Sequence, residues 1–209
     1  YHAGNNLTTG SGNIVLGYDI DAPSATSANT LNIGNLIFGT GIDGTGTTLS
    51  SGSIGIGNTT PLSVLNITTA TGPTFTLERN DTTVLAADNL GVIDFYSRDS
   101  TTNLAGVVSR IRATAATDFS SGSTPPGANT DLIFQTNTGN AGTLTEVMRI
   151  NYAGNVGIGT TSPGALLSLY KANNPTLSLI RDGVNFEFAT LQFGDALDSN
   201  AAEIIHSIY

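Results

Sequence analysis

The chain has no cysteine and no tryptophan, and only one methionine and one lysine, Lys171. Without cysteine there is no disulfide, no thiolate nucleophile and no Cys-ligated zinc. The same absence is compatible with an oxidising exterior. Charge is also scarce, at 11% of residues against roughly 25% in ordinary soluble domains. Seven basic residues face 16 acidic ones, for a net charge of −9, and the basic residues never cluster. Phosphate binding needs clustered Lys or Arg, so nucleic acid is not an expected partner. No apolar run approaches the ~20 residues that a membrane-spanning helix requires, and no membrane insertion is expected. Any export signal is expected upstream of Tyr1.

Gly, Thr, Ser and Asn take the place of the missing charges. These residues suit turns and strands and do little for helices. Short alternating apolar clusters, bounded by Gly, Pro, Asn or Asp, read as strands. They lie at 13–17, 31–38, 53–57, 63–68, 74–79, 91–97, 105–114, 131–136, 145–151, 155–159, 166–170, 176–181, 186–193 and 202–209. The best helical stretch, 83–90, is short and flanked by turn formers. The expected class is all-β, with surface loops at 39–51 and 118–130.

What is present in excess is repetition. GSIGIGNTTP (52–61) returns as GNVGIGTTSP (154–163), and the ungapped match runs from Gly52–Asn80 to Gly154–Asp182. Twelve of 29 positions are identical at a shift of 102 residues, enough to mark a tandem unit and an architecture built along an axis. Pro73, Leu77 and Arg79 return as Pro175, Leu179 and Arg181. The match resumes after a contraction, with 91–95 against 189–193 and 103–111 against 200–208. Leu36-Ile37-Phe38 ahead of GSIGIG reads as the tail of an earlier unit. The expected organisation is 1–51 as a head-like region with the end of one unit, 52–153 as a whole unit, and 154–209 as a truncated start. A chain opening on Tyr1 and stopping mid-strand at Tyr209 reads as a piece of something longer.

Glycine inside a strand is costly and marks close approach of a backbone. Gly55 and Gly57 flank Ile56, and Gly157 and Gly159 flank Ile158, so a costly feature is kept twice. Pro61 and Pro163 end both strands. The reading is a place where chains meet, with Ile/Val stripes forming a narrow core. Strand edges carrying neither Lys nor Pro are expected to pair with identical chains, three about one axis being favoured.

The run 1–17, YHAGNNLTTGSGNIVLG, resembles the head repeats of trimeric autotransporter adhesins. GNVGIGTTSP followed by Leu166-Leu167-Ser168-Leu169 is similar to shaft repeats of phage and bacterial tail-fibre proteins, found upstream of endosialidase-type intramolecular chaperone domains. The resemblance covers most of the chain. It implies an elongated, intertwined homotrimeric β fibre outside the cell or on a virion. The self-cleaving domain is absent, and no catalytic residue carries over.

Candidate chemistry is thin. Gly55-Ile56-Gly57 and Gly157-Ile158-Gly159 match the start of a dinucleotide fingerprint, but Thr60 and Ser162 stand where the third glycine belongs and no helix follows. The turns at 19–21 and 39–46 supply one or two carboxylates each, too few for calcium. His2 and His206 lack a Ser and carboxylate at triad spacing. Asp94, Asp99, Asp195 and Asp198 are formal glycosidase acids, yet Asp94 aligns with Gln192. The four N-x-S/T matches carry no role in a chain this rich in Asn and Thr. Arg79 and Arg181, at equivalent positions, read as structural pairs to an acid, here or on a neighbouring chain. No enzyme, cofactor or metal is expected. The expected function is a fibre segment that spaces and presents a binding tip. The alternatives are a polysaccharide-binding module for cell-surface glycan and an end-to-end filament.

Overall fold

The computed structural model describes residues 2–99, 105–119, 127–139, 143–172 and 177. Among these the chain is all-β, with eleven strands in two mixed sheets. The expected strands at 186–193 and 202–209, and all of 176–181 except Leu177, lie outside the described residues, as do Arg181, Asp195, Asp198 and His206. No helix among the described residues is long and apolar enough to cross a membrane.

The chain divides into two compact units between Thr76 and Leu77. The first holds β1 (Ile14–Leu16), β2 (Leu31–Ile33), β3 (Ile37–Thr40), β4 (Ser53–Ile56) and β5 (Leu65–Ile67), in that spatial order. The second holds β6 (Asn89–Ser97), β7 (Gly106–Ala115), β8 (Thr130–Asn137), β9 (Leu144–Ile150), β10 (Val156–Ile158) and β11 (Leu167–Leu169), also neighbouring in sequence order. Among the described residues neither sheet closes on itself. The sequence period begins at Gly52, but β4 hydrogen-bonds back onto β3, so the start of one repeat completes the unit of the previous one. The same holds for β10 on β9.

Strand 31–38 divides into two. Gly34 and Asn35 both take positive φ, 60° and 55°, and the Leu36 amide donates to the Ile33 carbonyl at 3.0 Å. This is a two-residue turn of the kind that joins antiparallel strands, and β2 and β3 pair accordingly. Leu36-Ile37-Phe38 consequently stands where 147–149 stands in the second unit, just ahead of the Gly-containing strand. Segment 74–79 has the alternation of a strand but forms none.

The repeated element keeps its pairing. Ile54 faces Leu65 and Ile56 faces Ile67 in parallel register; Val156 faces Leu167 and Ile158 faces Leu169 in the same way. In both copies the middle residue of the Gly-containing strand, Gly55 or Gly157, is buried. A Cβ on Gly157 would lie 2.6 Å from the Thr160 carbonyl oxygen, and one on Gly55 would collide with the Asn58 carbonyl. Gly57 and Gly159 take φ of 70° and 75° and abut the carbonyls of Thr68 and Tyr170. The backbone that crowds these glycines belongs to their own chain. For Gly55 and Gly157 it is the turn after the strand, folding back over it; for Gly57 and Gly159 it is the end of the parallel neighbour strand, β5 or β11, so each has a reason within one molecule.

Three glycines of the second copy grade this effect. Gly164 has open space and no positive φ, so Gly164→Ala is expected to be neutral. Gly154 has open space but φ of 83°, and Ala there should cost about 1 kcal/mol. Gly157→Ala should cost more, about 2–3 kcal/mol, because backbone must move. Urea unfolding of the three variants checks the order.

Candidate functional site

Register places the apolar residues of each sheet in continuous ladders. In the first unit one row runs Ile14, Leu31, Gly39, Ile54, Leu65, and the next runs Leu16, Ile33, Ile37, Ile56, Ile67. In the second unit the rows are Gly91, Ala113, Leu132, Ile150, Val156, Leu167 and Ile93, Ile111, Phe134, Met148, Ile158, Leu169. Ile56 and Ile158 thus hold equivalent places in their ladders. The ladders remain open: Leu16 is 61% exposed, Leu65 57%, Leu167 55%, Ile93 45% and Ile158 44%. Among the described residues only Ala22, Phe38, Val84, Ala115 and Ile133 are buried apolar side chains. A folded chain normally covers such a face, because apolar area left in water forfeits about 25 cal/mol per Å².

The opposite face of the second sheet is charged. Arg149 donates Nε to Glu146 Oε1 at 2.6 Å, Nη2 to Glu146 Oε2 at 2.8 Å and Nη1 to Asp131 Oδ2 at 2.7 Å. The second Asp131 oxygen accepts the Tyr152 amide at 2.9 Å. Glu146 and Arg149 are three residues apart and would point to opposite faces of a regular strand. An irregularity at Phe134/Gln135, where Met148 faces Phe134 but Glu146 faces Gln135, inserts Val147 and turns Glu146 to the arginine's side. Beside this group, Arg110 grips Asp94 with Nε and Nη2 at 2.6 and 2.8 Å.

Arg79 pairs with acids of its own chain, Asp81 at 2.7 Å and Asp88 at 3.0 Å, and its Nη1 reaches the Asn89 carbonyl at 3.2 Å. A neighbouring chain is not needed to satisfy it. Pro61 is half-buried and Pro163 buried, the latter accepting the Asn155 side-chain amide at 3.3 Å. The turn acid Asp43 closes loop 41–52 instead of gathering ligands: its two oxygens take the Ser51 amide and hydroxyl, each at 2.9 Å. Among the described residues no three His, Cys, Asp or Glu side chains converge.

The sequence reading missed Asn32, the most deeply buried side chain of the first unit. Its amide donates to the Asp21 carbonyl and to Asn35 Oδ1, at 2.6 and 2.8 Å, and its oxygen accepts the Asn35 amide at 3.0 Å. A signal existed: Leu-Asn-Ile occurs at both 31–33 and 65–67, and Asn66 likewise accepts from Asn58 at 2.6 Å. Asp131, Glu146, Arg149 and Arg112 were also missed; Asp94 was considered only as a catalytic acid, whereas it pairs with Arg110.

Hydrogen bonds hold three carboxyls below their ordinary range: Asp94 through Arg110, Asp81 through Arg79, and Asp43 through the Ser51 amide. A carboxyl depressed in the folded state adds stability above its unfolded pKa, about 3.9, and loses it as pH falls through the folded value. Acid unfolding should therefore set in below about pH 4. Asp94→Asn should flatten the pH dependence of the melting temperature there while changing little at pH 7, since exposed pairs are screened.

No family model matches the chain, and no curated protein matches it.

Proposed function

We propose that this chain is a non-enzymatic structural segment of an extracellular fibre, a tail-fibre or adhesin shaft, and that three copies assemble about one axis. The observation that supports it is the pair of open apolar ladders. On the six-stranded sheet the ladders span six strands at about 4.8 Å spacing, and two same-face positions per strand make a footprint of roughly 400 Å². A patch of this size matches the largest one on an ordinary monomer, about 300–600 Å², and such patches often mark a contact site. Here the same face recurs on the five-stranded sheet in the equivalent register.

A second copy is the occupant that fits. The face is uncharged, so it offers nothing to a polar or charged ligand, and a copy of itself presents the matching Ile/Val/Leu surface. The outer edge of β6, nine residues with neither Lys nor Pro, has no partner strand among the described residues and adds a site for β pairing between copies. Such a shaft acts mechanically, spacing and presenting a binding tip. Mass measurement with electron microscopy tests the reading. A discrete trimer forming rods is the expected result, and a monodisperse monomer at high concentration would overturn it.

A further inference from the structure

We propose that the cavity at Arg112, in the second unit, is a carboxylate-binding site. The cavity encloses about 270 Å³ between the turn at Ala86 and Ala87 and the charged face of the sheet, above the buried Ile133. Arg112 and Arg149 both line it. Three other arginines of this unit present the same edge, Nε with Nη2, to a carboxylate: Arg79 to Asp81, Arg110 to Asp94 and Arg149 to Glu146. That edge carries two parallel donors at the spacing of two carboxylate oxygens.

Arg112 lacks this partner. Its Nη1 donates to Asn89 Oδ1 at 3.1 Å, while Nε is buried with no acceptor. The nearest acid in the cavity, Asp131, is already occupied at both oxygens, by Arg149 and the Tyr152 amide. A buried donor left unmade costs free energy, more so when it is charged. The group that repairs it is planar, singly negative and two-oxygened. A dianion is disfavoured, because Asp131, Glu146 and Arg149 together already hold one net negative charge beside the cavity. Nε itself has no exposure to solvent, so a carboxylate reaches it only if the guanidinium turns toward the cavity, against its bond to Asn89.

The carboxylate has two possible sources, a free organic acid or an Asp or Glu of a second copy. The inference is independent of the shaft reading, since a lone monomer could still bind a free acid.

The test follows the Arg112 Nε–H resonance in the full chain by NMR, during titration with sodium acetate against sodium chloride at matched ionic strength. A saturable downfield shift with acetate only, absent in Arg112→Gln, assigns a free carboxylate. A resonance already downfield and slow to exchange, indifferent to acetate but lost on dilution, assigns a neighbour's side chain. In that case Arg112→Gln weakens self-association at least tenfold. Arg112→Lys keeps the charge without the fork and should recover neither behaviour. A resonance in fast exchange with water and insensitive to both acetate and dilution overturns the proposal, as does full function of the Lys variant. Mass measured on the same samples shows separately whether copies join.

Discussion

Ile158→Asp is expected to leave the chain folded and monomeric. Ile158 lies in the ladder between Met148 and Leu169 and is 44% exposed in the single chain. A carboxylate there stays hydrated in a lone molecule and costs the fold little. Packed against other copies it loses its water without gaining a partner, at a cost of several kcal/mol per chain. Light-scattering mass should therefore fall from trimer to monomer while far-UV circular dichroism keeps its β signature. Thr161→Asp, in the exposed turn beyond, should leave the mass unchanged. An Ile158→Asp chain that still assembles, equally stable, would show that this face is not where copies meet.

Arg149→Met should be the most damaging single change to the second unit itself. Asp131 and Glu146 are 9% and 14% exposed at their side chains, and the arginine between them is 17% exposed. Its removal leaves two carboxylates without their shared counter-ion, a loss of about 3–5 kcal/mol for a buried pair broken on one side. The lower figure is expected here, because the group is not fully enclosed. Adding Glu146→Gln to the Arg149→Met variant should recover part of the loss, since one of the two stranded charges is gone. Equilibrium unfolding in urea checks both. A loss under about 1 kcal/mol for Arg149→Met, the scale of an exposed pair, would mean that the acids find other partners or water.

The all-β class was legible because the signals are local: short alternating apolar clusters bounded by Gly, Pro, Asn or Asp. The turn at Gly34-Asn35 was read through as part of one strand, 31–38. The tandem copy was equally plain, and the matching register of β4–β5 and β10–β11 follows its span. Segment 74–79 shows where such signals stop. It has the alternation of a strand, yet a strand needs a hydrogen-bonded neighbouring backbone, and no backbone hydrogen bond to 74–79 is made among the described residues. Arg79 meets Asp81 and Asp88 of its own chain, and the sequence reading named neither as its partner. Asp81 is visible two residues away, whereas Asp88 arrives through the turn that returns the chain to β6.

From the sequence alone come the strand content, the repeat, the scarcity of charge and the glycines that two copies share. Each depends on neighbours in the chain or on composition. Tertiary structure alone decided that those glycines are crowded by their own turn or by the end of the neighbouring strand, that the apolar rows stay open, and that Glu146 and Arg149 share a face. The physical reason is the two-residue alternation of a strand. One inserted residue, Val147, reverses which side every later residue takes, and no local pattern announces it.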